Sequence, residues 1–335
     1  MSSATHENPI FIVGMSRSGT TWLLDQLNLH PNCCAFGETA FFGKHFIPTK
    51  NGEYTVAQID QVLSRMPGTL GVPTSPPEDS VVRRVLAGEA LRKLFDPLRK
   101  KLVGRDAGMA CAEVFREMLM YASSYKGGDV VIEKTPHHLL YVQRIARFFP
   151  KAKFIVCHRD PEGFVLSWKH QGDRKTTEVK RRFKRMYHPI SVAFIWRRYA
   201  EHVCKLTRSQ ALVSIEVPYC SIKSKPIEVM TDLYNFCEVD PEYARPLDGN
   251  KQNSSFPNRR IPKLSALELA CLRVICRKPA QALGYDVPRA SWDAWLLFCF
   301  SCLTVPLWAM RCFFSMPSPS RLTRLLVWAG FKRPN

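Results

Sequence analysis

Acid is scarce in this sequence. Among 335 residues, Lys and Arg number 48 and Asp and Glu only 29, a formal charge of +19. Chains this basic usually meet polyanions, a membrane surface or phosphorylated small molecules, unless the excess is merely a solvated surface. An apolar signal core is missing from the polar residues 1–9, and the first apolar run, 10–14, is too short for one. The chain is therefore expected to start in the cytosol. The 12 cysteines are scattered, and their spacing with histidine does not match a zinc site. The adjacent Cys33 and Cys34 are poor partners for each other. Buried or incidental thiols in a reducing compartment are the expectation. There is no internal repeat. The basic stretch 169–188 has Lys169, Arg174, Lys175, Lys180, Arg181, Arg182, Lys184 and Arg185 against Asp173 and Glu178. It has little aromatic interleaving, which argues against nucleic acid. A solvated helix face, an acidic acceptor or an anionic lipid surface is left.

What is present is an alternation of short apolar runs with helical periodicity. Residues 9–13 (PIFIV) suit a buried parallel strand, and 20–29 read as a helix ended by His30-Pro31. Further strands are expected at 129–133, 153–158 and 211–217. Helices are expected at 137–149, from Pro161 to 170, and at 226–237. Residues 67–77 are rich in Pro, Gly, Ser and Thr and read as a loop, and 81–102 as an amphipathic helix. The sum is an α/β fold with a P-loop-like parallel sheet flanked by helices. Residues 1–290 would form this α/β domain, with 41–110 a candidate acceptor-binding insert.

Between the first strand and helix lies GMSRSGTT, residues 14–21, with the G-x4-G spacing of a phosphate-binding loop. Glycine lets the backbone turn so that N–H groups converge on an anion at a helix N-terminus. Ser18, Thr20 and Thr21 add hydroxyls. The lysine of nucleotide triphosphatases is absent: Thr20 follows Gly19, and the fixed positive charge is Arg17. A phosphate loop adapted to another leaving group fits better than a kinase.

FIVGMSRSGTTWL, residues 11–23, resembles the phosphosulfate loop of sulfotransferases that use 3'-phosphoadenosine 5'-phosphosulfate (PAPS). The RSGTT form resembles the branch of bacterial and tyrosylprotein sulfotransferases. The resemblance implies that Arg17, Ser18, Gly19, Thr20, Thr21 and Trp22 bind the donor, with Arg17 on the sulfuryl group. VCHRDPEGFVLSW, residues 156–168, resembles the second signature, in which the strand-end Arg159 and the helical Ser167 bind the 3'-phosphate. Glu38, one helix and a short return segment beyond Arg17, corresponds to the presumed general base of the tyrosylprotein branch. A structural carboxylate paired with a lysine or arginine is the alternative. In Glu133-Lys134-Thr135-Pro136, familiar from bacterial relatives, Lys134 would stabilise the moving sulfuryl group. His137 and His138 are rival bases, with surface or capping roles as the plainer reading. Tyr219 would line the adenine pocket or sit in the core, although Cys220 stands where an acid is common. Lys251, Arg259, Arg260 and Lys263 are candidates to close over the 3'-phosphate. The implied reaction moves the sulfuryl group to a hydroxyl or amine of a carbohydrate, lipid or protein, leaves 3'-phosphoadenosine 5'-phosphate (PAP), and uses no metal. A P-loop kinase and a non-catalytic, membrane-tethered nucleotide-binding protein are the rival readings.

Residues 294–310 carry no charge, which is the lower limit of length for crossing a bilayer. Pro306 is expected to interrupt them. In 320–335, Leu322, Leu325, Leu326 and Trp328 alternate with Arg321 and Arg324, as in an interfacial basic helix. The segment 291–335 is thus expected to associate with a membrane surface, with packing of core helices as the alternative.

Overall fold

A computed structural model describes residues 8–66, 72–73, 85–86, 88–105, 107–173, 175–244 and 262–314. Its central sheet has five parallel strands, β1 (Ile10–Gly14), β2 (Cys33–Phe36), β3 (Val130–Lys134), β4 (Lys153–His158) and β5 (Val213–Pro218), in the order β2-β3-β1-β4-β5. The helices in chain order are α1 (Thr20–Leu27), α2 (Val56–Arg65), α3 (Gly88–Val103), α4 (Cys111–Lys126), α5 (Val142–Phe148), α6 (Pro161–Lys169) and α7 (Thr177–Met186). They continue with α8 (Pro189–Thr207), α9 (Tyr219–Ser224), α10 (Pro226–Phe236), α11 (Ala266–Ile275), α12 (Arg277–Ala282) and α13 (Trp292–Phe314). The chain falls into two compact units. The first is Met1–His158 with Lys205–Asp248, and the second is Arg159–Cys204 with Gly249–Pro334.

The first unit holds the sheet. Strands buried on both faces are apolar at successive positions rather than alternating, and β1 has all five residues buried. Ile10, Ile12, Ala35, Ile132 and Ile155 pack on one face against Leu23 and Leu27 of α1 and Met230 and Leu233 of α10. Phe11 points to the other face. There it meets Phe42, Phe115, Phe149 and Phe154 at ring separations of 5.8–6.4 Å. Strand β2 lies in the stretch expected only as a return from the first helix. Cys-Cys-Ala-Phe has no β-branched residue to announce a strand, and its extended form comes from pairing with β3, Cys33 on Val130 through Phe36 on Glu133. The helix expected over 137–149 is instead a 3-10 turn, Pro136–Tyr141, followed by α5. Within 41–110 lie a π-helical turn (Phe41–His45), α2 with a Thr55–Gln58 capping box, and α3.

The second unit is helical. Its organising group is Glu268, buried at the first turn of α11. Lys169 at the end of α6 pairs with it at 2.8 Å, and the Tyr187 hydroxyl donates to it from the residue after α7. Ser265 donates its N–H to Glu268 at 2.7 Å and its hydroxyl at 2.9 Å, closing a capping box. Burial works to raise the Glu268 carboxyl, but Lys169, Tyr187 and Ser265 outweigh it and hold it below its ordinary range. Helix α13 runs unbroken through Pro306, where the sequence suggests an interruption. Proline there removes one backbone hydrogen bond. Contacts of Ser301, Thr304 and Trp308 on both sides of it carry the helix through. Cys299 and Cys302 form a Cys-x-x-Cys pair on this helix, and both are exposed.

Candidate active site

The first site element is the turn between β1 and α1. Gly14 has a strongly positive φ, and a Cβ there would run into the Cys157 carbonyl oxygen of the adjacent strand, so no other residue fits. The Met15 N–H donates to that same carbonyl at 2.8 Å, fastening the turn to β4. Arg17 (φ 69°) and Gly19 (φ 82°) are both left-handed. Left-handed residues spaced in a turn direct neighbouring N–H groups to one side, the geometry of an anion-binding nest. Gly19 leads into α1 without a side-chain cap, so the helix N-terminus is open to a ligand. Ser18 is fully buried, and its hydroxyl has no hydrogen-bond partner among the described residues. Such a group is costly unless something satisfies it, and an anion in the turn would do so. The loop therefore fits a phosphate- or sulfate-like group. Thr20 is buried on the first turn, Thr21 half-buried, and Trp22 packs on the core beneath α1. Tyr219, first residue of α9, lies against Gly19. A Cβ on Gly19 would come within 3.2 Å of its ring and 2.8 Å of Ile222. The Lys223 ammonium sits 5.1 Å from the centre of the Tyr219 ring, within cation–π range.

The second element is built by strand register. Phe36, last residue of β2, pairs with Glu133, and the chain continues to Glu38 alongside Lys134, the last residue of β3. The Lys134 ammonium donates to Glu38 Oε1 at 3.1 Å. Lys134 is nearly buried, with 7% of its side chain exposed, whereas Glu38 is 57% exposed. The two residues expected to act on the reacting group thus meet, and each is also the other's ion-pair partner. Ile12 of β1 pairs with Lys134 from the other side, so the pair stands at the carboxyl end of the sheet that also carries the phosphate loop.

Glu133 holds this corner in place. Its carboxylate is fully buried. It accepts from the Thr39 N–H at 3.2 Å, the Thr39 hydroxyl at 2.8 Å, the Thr135 hydroxyl and His138 Nδ1 at 3.0 Å. Phe42 donates its N–H to His138 Nε2, which leaves the proton on Nδ1, facing the carboxylate. Thr135 in turn accepts from the Ala40 N–H at 3.2 Å, securing a residue in the left-handed region (φ 50°) two places after Glu38. Burial works to raise the Glu133 carboxyl, but His138, Thr135 and Thr39 outweigh it and keep it below the ordinary carboxylate range. His138, a rival base on sequence grounds, is committed to this network and has no exposed surface. The roles of Glu133, Thr39 and Thr135 are not legible in the sequence. The available signal is a buried-strand pattern ending in two charged residues.

In the second unit, Arg159 directly follows β4 in the chain and Asp160 caps α6, accepting from the Gly163 N–H at 2.6 Å. The Arg159 side chain lies across the first turn of α6. A Cβ on Gly163 would stand 2.7 Å from Arg159 Nε, so glycine makes this placement available. Trp196 Nε1 donates to the Arg159 carbonyl at 2.9 Å. Ser167, buried, is one turn beyond Gly163 on the same helix face. Of the basic residues expected to close over a phosphate, Lys263 is exposed shortly before α11. Lys251, Arg259 and Arg260 lie outside the described residues, as does the tail 320–335. Among the described residues no group of three His, Cys, Asp or Glu could hold a metal ion.

The chain matches the sulfotransferase family over residues 9–243. Among solved structures it is similar to the sulfotransferase domain from the Synechococcus PCC 7002 olefin synthase, with 18% identity, 86% of this chain and 99% of that one covered, and a TM-score of 0.51. It is also similar to the sulfotransferase domain from the curacin biosynthetic pathway (16% identity, 84% and 99% covered, TM-score 0.49) and to a sulfotransferase from Alicyclobacillus acidocaldarius (16%, 83% and 96%, 0.46). At 18% identity the likeness to the olefin synthase domain is one of fold alone. No protein with a curated description matches it. With the family match spanning the phosphate loop, the Glu38–Lys134 corner and the β4–α6 turn, the chain belongs to the sulfotransferase family, whose members transfer sulfuryl groups.

Proposed function

We propose that the sulfuryl donor is PAPS and that the acceptor is a hydroxyl or amine. The observation that carries this reading is the β1–α1 turn: a nest with a buried, unsatisfied Ser18 hydroxyl, Thr20 where triphosphatases have lysine, and the fixed positive charge moved to Arg17, two residues before Gly19. In this reading Arg17, Lys134 and the loop N–H groups hold the sulfuryl oxygens, and they stabilise charge building on the leaving phosphate. Glu38 takes the acceptor's proton as the new S–O bond forms and the bond to the phosphate breaks. Arg159 and Ser167 bind the 3'-phosphate, a role that rests on the sequence pattern and on the geometry of the α6 turn. Tyr219 lines the adenine pocket. Neither a metal nor nucleic acid enters the scheme. The chain acts in the cytoplasm, associated with a membrane through α13. That helix is long and apolar enough to cross a bilayer by length and composition. A carbohydrate, lipid or protein acceptor is compatible with it.

The test is thermal stabilisation by PAP, ADP and ATP. A ligand at a hundred times its dissociation constant adds about 2.7 kcal/mol. PAP should stabilise the protein, ADP and ATP should do so weakly, and Arg159→Ala should abolish the PAP effect. Equal stabilisation by ATP, or none by PAP, overturns the donor assignment.

A further inference from the structure

Helix α13 has two long sides of different character. One faces the second unit. Ala294 and Ser301 are buried, Cys271 of α11 donates to the Ser301 hydroxyl at 3.7 Å, and Thr304 meets His188 at 3.0 Å. The Trp308 ring lies 5.2 Å from that of His188, and Cys312 donates to the Arg185 carbonyl at 3.6 Å. These positions recur at helical spacing from one end to the other, so the helix is bound to α11 and α7 along its length. The other side is a stripe of Leu296, Phe300, Leu303, Leu307, Met310 and Phe314, each 52% to 74% exposed. Helix α7, fastened beside the C-terminal half of α13 by the Arg185–Cys312 contact, exposes Arg181, Arg182, Lys184 and Arg185.

We infer that this side of the second unit docks on the surface of an anionic lipid bilayer, with α13 lying in the interface and α7 on the headgroups. The inference deepens the membrane association proposed above and is independent of the donor chemistry. A helix that crosses a bilayer must face lipid on every side not covered by other spanning helices. Here one side carries Ser301 and Thr304 and is occupied by the protein body. Insertion across the membrane would strip those contacts, whereas lying flat buries only the apolar stripe. A basic helix beside an apolar one is the composition of an interfacial anchor, and each basic residue near an anionic surface strengthens binding about fivefold.

The experiment uses the full chain with a C-terminal epitope. Its binding to sealed phosphatidylcholine vesicles is compared with binding to vesicles that also contain phosphatidylserine. The wild type should prefer the anionic vesicles and lose that preference in high salt. Changing Arg181, Arg182, Lys184 and Arg185 together to Gln should weaken binding to anionic vesicles by at least about tenfold without changing the melting curve. Leu303→Asp with Leu307→Asp should abolish binding to both. The epitope should stay open to protease added outside. An epitope protected from protease means α13 crosses the membrane, which overturns the interfacial mode but leaves membrane association standing. Unchanged binding in the α7 variant overturns the lipid-charge assignment. No binding to either vesicle, with the leucine variant converting a dimer to a monomer, means a second copy covers the stripe and membrane association itself fails.

Discussion

Replacing Glu133 by Gln keeps the shape of the side chain and removes the acceptor that holds the active corner together. The carboxylate faces donors on both oxygens: Thr39 and Thr135 on Oε1, and the Nδ1–H of His138 on Oε2. Glutamine must aim its NH2 either at the Nδ1–H of His138 or at the Oε1 side, where the Thr39 N–H, unlike the hydroxyls, cannot turn to accept, so a donor meets a donor in either orientation. One hydrogen bond to a charged group is lost, about 1.5–3 kcal/mol, and a buried donor is left unsatisfied, about 1–3 kcal/mol more. A net loss of about 3 kcal/mol lowers the melting temperature of a unit this size by about 6–12 °C. The pH dependence has a definite sign. The folded-state carboxyl lies below its ordinary value of 4.5, so its stabilisation is fully present above that pH. It is lost as pH falls through the lower, folded value. Melting curves of wild type and Glu133→Gln should therefore be far apart at neutral pH and converge in acid. Curves within about 2 °C of each other at neutral pH, or a gap that widens in acid, would refute the network as described.

Other expectations follow from the same geometry. Gly14→Ala should cost more than about 3 kcal/mol, because its Cβ would collide with the Cys157 carbonyl in a backbone conformation that side chains rarely adopt. Soluble yield and the melting curve read this directly, and a normal melt would show that the turn is looser than described. Glu268→Ala should destabilise the second unit by about 3 kcal/mol by stranding Lys169 and Tyr187. Calorimetry should show that loss shrinking below the ordinary carboxyl value of 4.5, since the native carboxyl is held lower. Glu38→Gln should reduce turnover by at least about a hundredfold with donor affinity nearly unchanged. Near-wild-type turnover would remove Glu38 as the base.

Much of this protein is written in local sequence. The buried strands β1, β3 and β4 are short apolar runs bounded by turn residues, as is the more exposed edge strand β5, and such runs declare themselves without knowledge of their neighbours. The phosphate loop is equally local: two glycines, an arginine and hydroxyls between a strand and a helix specify a backbone turn from adjacent residues alone. Even α13 is visible as an uncharged stretch. Strand β2 is not visible, because Cys33–Phe36 is a strand only by pairing with β3. With β2 comes the register that sets Glu38 against Lys134, two residues far apart in the chain that a motif can name but not join. Likewise Glu133, one letter of a motif in the sequence, is the buried anchor of that corner. A carboxylate's role depends on which donors surround it, and these come from separate segments of the chain. The two-sided character of α13 is also decided by packing. Composition marks the helix as apolar, but only the contacts of Ser301, Thr304 and Trp308 say which side faces protein and which is left bare.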